Sequence, residues 1–268
     1  MGKIYFHADD YGRSKEVSKN ILNCLINGNL NSVSIMINHD QKYHNKLKKL
    51  KNVNKRLHLN LTEISKTKIN DQYLKNLSFL KLLFINETKK QKVFNEIDNQ
   101  IIKFKKVYKP RKLKIDGHEH VHMIPWILEH LLRLRTRYKI TELRNSNELL
   151  MIPRIKDLFN PKYIRNFLAS LVVKLLYNLK RRPKLNAPQF SGILYSGIQN
   201  IETVKKTLSF FKRNKYKNCE ILVHPGYTNK REKSKFKKNY FKFYNSKNRK
   251  KEFNLCFSEE IKNQINKF

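Results

Sequence analysis

Residues 4–37 read IYFHADDYGRSKEVSKNILNCLINGNLNSVSIMI. Ile4–Ala8 is a short apolar run of the kind that forms a buried strand. Ser14 has the chemistry of a helix N-cap. Val17, Ile21, Leu22, Leu25 and Ile26 then recur at helical spacing until Gly28 ends the pattern. Val33–Ile37 is a second strand-like run. A strand, a helix and a strand within this length form a βαβ unit, whose two strands run parallel.

The same alternation continues outward. Leu57–Leu61, Leu113–Ile115, Ile140–Leu143, Gly192–Tyr195 and Glu220–Val223 read as further strands. Between them, Val93, Phe94, Ile97, Ile101 and Phe104 form an amphipathic helical stripe, and Ile201, Val204, Leu208 and Phe211 form another. Pro125 suits the first turn of a helix that continues through Trp126, Ile127, Leu131 and Leu132. Repeated strand–helix units predict an α/β fold with a mostly parallel sheet, open or closed into a barrel. The 268 residues fit one large α/β domain or two small ones. The stretch 180–188 reads as a loop, and 229–251 as a strongly basic mobile or surface segment; neither marks a domain boundary.

Composition narrows the class. A 40% hydrophobic content supports a core and excludes a disordered polybasic chain, despite 58 Lys+Arg against 21 Asp+Glu and a net charge of +37. Seven Gly, seven Pro and three Cys exclude collagen-like, coiled-coil and disulfide-scaffold classes. The charge attracts phosphate in general, and Lys235-Phe236-Lys237-Lys238-Asn239-Tyr240-Phe241 interleaves aromatics with cations, so a basic nucleic-acid-binding protein is one alternative. No recognition motif accompanies it, so no specific nucleic acid is expected. The excess of Lys, Asn, Ile, Phe and Tyr also matches what an A/T-biased genome over-supplies.

Cys24, Cys219 and Cys256 show no pairing or metal spacing, which points to a reducing, cytoplasmic compartment. The amino terminus lacks a signal-peptide apolar region, and no apolar run approaches the ~20 residues of a membrane span. The longest run, Phe167–Tyr177, contains Lys174. Residues 163–182 read in one of two ways: an interfacial helix on an anionic membrane, peripheral to the inner membrane, or a helix packed on the barrel with a basic outer face.

Chemistry-bearing residues follow the strand-like runs: Asp9 and Asp10 after the first, His58 within the third, and Asp116, His118, His120 and His122 after the fourth. Arg144 ends the fifth, and His224 ends the last, just before Pro225-Gly226-Tyr227. The carboxyl ends of parallel strands share one crevice, so these residues can converge. Of two adjacent aspartates, one can ligate a divalent cation while the other acts as a general base. Two histidines and a carboxylate form a common catalytic metal set. Each piece alone also has an ordinary explanation, as a loop, a cap or a strand residue. The Asp-Gly-His-Glu-His-Val-His run is the hardest to dismiss. If extended, it points His118, His120 and His122 to one side, and one or two of them are expected to touch metal. His39, His44 and His130 read as surface or core histidines, and His7 as a packing or hydrogen-bonded strand residue.

At His-Ala-Asp-Asp-Tyr-Gly (7–12), Asn-Ser-Val-Ser-Ile-Met-Ile-Asn (31–38), Leu-His-Leu-Asn-Leu-Thr (57–62), Asp-Gly-His-Glu-His-Val-His (116–122) and Val-His-Pro-Gly-Tyr (223–227), the sequence resembles the YdjC-like carbohydrate deacetylases. That family includes chitooligosaccharide and hopanoid-associated deacetylases. The motifs occur in family order over most of the chain.

The resemblance implies a distorted, TIM-barrel-like (β/α) barrel that hydrolyses an N-acetyl group from an amino sugar, on an oligosaccharide or a lipid-linked glycan. It implies one divalent metal ion, usually magnesium, with zinc or another ion as alternatives, and often a homodimer. The family's metal ligands fall on Asp10, His58 and His118. Asp9 matches a general base and His224 a general acid. Arg144 matches a residue that grips the sugar or orients Asp9, and His122 is a second candidate for binding the substrate. His7, Tyr11 and Glu119 stand where the family more often has Asn, Phe, and His or Gln. Arg249 and Glu252 match a terminal Arg-x-x-Glu pattern. A barrel that binds sugar without hydrolysing it is a further alternative.

Overall fold

The computed structural model describes residues 2–38, 43–63, 77–151, 153–179 and 185–268. His39 and the charged residues 180–184 of the expected loop lie outside them. Seven strands form one sheet: β1 (Lys3–Tyr11), β2 (Ser32–Ile35), β3 (Asn54–Leu59), β4 (Leu113–Gly117), β5 (Ile140–Leu143), β6 (Gln189–Ser191) and β7 (Asn218–Val223). Every pairing is parallel, in the order β5-β4-β3-β2-β1-β7-β6. That order is chain order taken round a ring opened between β5 and β6. The architecture is therefore a distorted (β/α) barrel with one seam.

The crossover helices form where the apolar spacing places them. Lys15–Asn27 starts at Ser14, whose hydroxyl accepts from the Val17 N–H, and buries Val17, Ile21 and Leu22. Glu87–Tyr108 buries Val93, Ile97, Ile101 and Phe104. Pro125 opens the helix Pro125–Arg133, and Asn200 caps Ile201–Arg213 through Thr203. These apolar faces and the strand residues between them make one continuous core. The three cysteines are buried and free.

One expected strand is displaced. Gly192–Tyr195 is a turn, and β6 lies just before it at Gln189–Ser191. The buried Glu148 carboxylate, beyond β5, explains the change. It accepts from the Ser191 hydroxyl (2.6 Å) and from the backbone N–H groups of Gly192, Ile193 and Leu194 (3.0, 2.8 and 3.0 Å). Backbone donors bent round one carboxylate cannot also serve a ladder. Glu148 thus ties the seam between β5 and β6 by side chain, in addition to the backbone bond from the Leu143 N–H to the Leu185 carbonyl (3.0 Å).

The stretch 229–251 forms a 3-10 turn (Lys230–Lys235), a helix Lys238–Tyr244 and the start of another, Lys247–Leu255. Most of its lysines face outward, whereas Glu232, Tyr244 and Arg249 are buried.

Candidate active site

Successive residues of a strand point to opposite faces. Asp9 and Asp10 escape this rule because Asp10 sits in the left-handed region at φ 73° and breaks the strand's alternation. Gly12 follows at φ 92°, where an added Cβ would lie 2.5 Å from the Met36 carbonyl oxygen. The bend turns both carboxylates toward His58, whose Nε2 lies 4.0 Å from Asp9 Oδ2 and 3.5 Å from Asp10 Oδ1.

Asp10, His58 and His118 converge as the sequence suggests: each offers one ligand atom, and those atoms lie within 4.8 Å of one another. His118 Nδ1 is 3.2 Å from Asp10 Oδ1. His58 Nδ1–H donates to Asp116 Oδ1 (2.7 Å), which fixes the ring and leaves Nε2 buried with no hydrogen-bond partner. A carboxylate behind a ligating imidazole is the usual way a metal-binding histidine is held. Arg249 Nη2 donates to Asp10 Oδ2 (2.9 Å), occupying that oxygen and leaving Oδ1 toward the imidazoles. The residues fit a divalent cation: an oriented lone pair with no other use, a carboxylate with one free oxygen, and a second imidazole.

Electrostatics agree. Burial pushes the His58 imidazolium down, but Asp9, Asp10 and Asp116 raise it to about 10. His118 is raised likewise, by Asp10 against its burial. Burial would raise Asp10, yet Arg249 and the two histidines hold it well below the usual carboxylate range. The pocket is a concentrated negative site that protons occupy when no cation does.

Asp9 sits beside this triad. Burial would raise it, but Arg144 and His58 hold it ionised. Arg144 grips both its oxygens at 2.9 Å, and His7 Nε2 lies 3.0 Å from Oδ1. Arg144 is only 1% exposed and also contacts Asp116 (2.9 Å) and Glu220 (2.7 Å). His122 is fully buried and donates from Nε2 to the Arg144 carbonyl (3.0 Å). The structure therefore places Arg144 where it orients Asp9, with His122 beneath it. His7, Asp9 and Asp116 also lie close enough to share a cation, but the Arg144 guanidinium contacts both carboxylates and already serves as their shared cation.

The histidine run is not extended. Residues His118–Met123 form a 3-10 turn, with Glu119 and His120 in the left-handed region. The three rings diverge: His118 to the triad, His120 to the Ser146 hydroxyl (2.9 Å), and His122 to the Arg144 carbonyl. The expectation that alternation points all three to one side is thus corrected. Gly117 permits the fold-back, since a Cβ there would sit 2.9 Å from His122 Nδ1.

His224 follows β7, with its side chain 13% exposed and Nδ1 3.7 Å from the buried carboxylate of Glu252. Its backbone N–H donates to the same Glu252 oxygen (2.5 Å). One residue enters the site without having stood out in the sequence, and a second takes a role not assigned to it there. Glu63 is buried, with Oε2 3.5 Å from His118 Nε2, and pairs with Arg13, which stacks on Phe236. Asp116, noted only for following a strand, orients His58 and ties it to Arg144.

A half-closed (β/α) barrel with an Asp–His–His constellation at its strand ends, able to hold a metal ion, and an arginine-braced aspartate alongside defines the class of barrel protein to which the chain belongs. The chain matches the family model described as YdjC-like protein over residues 3–267, and it belongs to that family. It is 24% identical to a carbohydrate deacetylase of Danio rerio over 260 residues, covering 84% of this chain and 82% of that protein. Its fold matches, at a TM-score of 0.65 and 19% identity, the crystal structure of an Enterococcus faecalis protein named for cellobiose-phosphate cleavage, covering 99% and 94% of the two chains.

Proposed function

We propose that the chain is a metal-dependent deacetylase that removes an N-acetyl group from an amino-sugar-containing carbohydrate. The observation that carries this reading is the convergence of Asp10, His58 and His118, with an unpartnered buried imidazole nitrogen aimed into it. Family membership and the deacetylase relative support it. A divalent cation held by these three side chains supplies positive charge for the acetamide oxygen and acidifies a nearby water.

The chain's own groups do the rest. Asp9, kept ionised and oriented by Arg144, takes the proton from the attacking water. Arg144 and His7 hold that carboxylate in place, and His122 holds the Arg144 carbonyl, so Arg144 and His122 act as positioning residues. His224, partly open to solvent and backed by Glu252, donates a proton to the departing nitrogen as the amide C–N bond breaks. Acetate and a free amino sugar result. Tyr240, whose ring faces His118 and whose hydroxyl reaches Glu119 (3.1 Å), supplies an aromatic wall for a sugar.

Two imidazole donors suit zinc or another borderline ion better than magnesium, which prefers oxygen ligands, so the panel of metals begins with zinc and includes magnesium. Three free buried cysteines support a cytoplasmic location. The test is acetate release from N-acetylated oligosaccharides and lipid-linked glycans, with chelator and with each ion restored. Chelator-sensitive release restored by a divalent ion is expected. Protein that binds the ion yet releases no acetate from any member of the panel overturns the reading.

A further inference from the structure

The helix Pro161–Asn178, between β5 and β6, is apolar on its outer side as well as its inner one. Its inward face carries Tyr163, Asn166, Ser170, Val173, Leu176 and Tyr177. Asn166 donates to the carbonyls of Leu194 (3.2 Å) and Ser196 (2.9 Å), so polar groups are used to anchor the helix to the barrel. Its outward face is apolar. Ile164, Leu168, Leu171, Leu175 and Leu179 recur at helical spacing and are 38–63% exposed, and Phe159, just before the helix, is 80% exposed. A helix fully served by its own domain is polar on that outer side. A contiguous apolar stripe of this kind marks an interaction surface.

The charge around the stripe selects its partner. Lys162, Arg165 and Lys174 are exposed on the same helix, and residues 158–201 contain no Asp or Glu. Apolar side chains flanked by cations, without acids, describe a helix that lies in the interface of an anionic bilayer. A second copy of the chain would bring another +37 against this one, whereas an anionic lipid surface is attracted. Among the described residues no helix is long and apolar enough to cross a membrane, so the contact is along the surface. The helix also packs beside the His118–Met123 turn, on the side of the barrel that holds the candidate metal ligands.

We infer that the Pro161–Asn178 helix docks this protein on anionic membrane surfaces. The outer face of this barrel-packed helix carries the expected cations and, between them, the apolar side chains. The docking requires neither metal nor catalysis, so it stands or falls separately from the deacetylase reading.

The test is co-sedimentation of the full chain with phosphatidylglycerol-containing vesicles at physiological salt, against pure phosphatidylcholine vesicles. Binding to the anionic vesicles only is expected. Leu168→Glu together with Leu175→Glu is expected to weaken it at least tenfold, with thermal stability retained. Ile26→Glu together with Ile102→Glu makes the same charge change on exposed apolar positions of two other helices and is expected to leave binding within about twofold. Absence of vesicle binding overturns the proposal, as does equal loss in both double variants, which reduces the effect to general charge. A wild-type oligomer in solution that dissociates in the Leu168/Leu175 variant also overturns it, assigning the face to a second copy.

Discussion

Asp10 shows how one residue's backbone sets the chemistry of the site. Its left-handed φ brings two neighbouring carboxylates into the same pocket, each with its own arginine: Arg144 for Asp9 and Arg249 for Asp10. His118→Ala is expected to abolish tight cation binding and to lower acetate release at least about 100-fold while the melting temperature holds, because the ligand lies at the pocket and not in the core. Asp116→Asn is expected to cost about 10–100-fold in cation affinity through loss of orientation at His58; metal titration checks both. Protons and the cation compete for His58, whose folded value of about 10 lies above the ordinary 6.5. In the metal-free protein this group stabilises fully below pH 6.5, and the contribution is lost as pH rises toward about 10. Apparent cation affinity moves the other way, strengthening about tenfold per pH unit for each proton displaced over that range. Calorimetric titrations at several pH values, with proton release followed in two buffers, read this slope directly. The triad was legible in the sequence because its residue types follow strand-like runs whose ends must share a crevice. Glu63 was not, since it lies in a turn with no spacing signature. Arg249 fitted a terminal pattern, but as one of 58 cations only its burial shows that it holds Asp10.

At the scale of elements, six of the seven strands lie where apolar runs place them, with ends shifted by a few residues. The seventh was misplaced because Ile193, Leu194 and Tyr195 are apolar for another reason. They belong to a turn, and Leu194 and Tyr195 pack with Met151 and Tyr163 in a small cluster apart from the main core. Apolarity over four residues cannot distinguish that from a strand. The histidine run misled in the same way, because two left-handed residues replaced the alternation that an extended segment would have kept. A signal was present in the strands themselves. Polar residues recur two apart, at His7 and Asp9, Ser32 and Ser34, Arg56 and His58, and Glu142 and Arg144, and they meet inside the barrel. Arg56 pairs with Glu142 (2.6 Å) and Glu220 (2.7 Å) below the layer that carries the site. The seam depends on Glu148. Its replacement by alanine leaves three buried N–H groups of the 192–194 turn without their acceptor, and is expected to cost about 3 kcal/mol of stability; urea unfolding with an unchanged m-value checks it.

For the molecule as a whole, the surplus of cations repels itself. Added salt screens that repulsion, so the melting temperature is expected to rise between low and physiological ionic strength, in contrast to a protein of balanced charge. Differential scanning calorimetry in chloride salts measures the shift. The same charge was ambiguous in the sequence, where genome bias, nucleic acid and lipid all accounted for it; the apolar stripe on Pro161–Asn178 is the observation behind the proposed lipid contact, and a stripe becomes visible only once the buried face of the helix is known. The seam between β5 and β6 carries one more implication. A closed hoop of strands has no beginning, but this one is a strip with two loose ends, held by the Glu148 carboxylate and the bond from the Leu143 N–H to the Leu185 carbonyl. Amides along β5 and β6 are therefore where deuterium enters first, and unzipping of the barrel starts there while β1, β2 and β7 still hold their ladder.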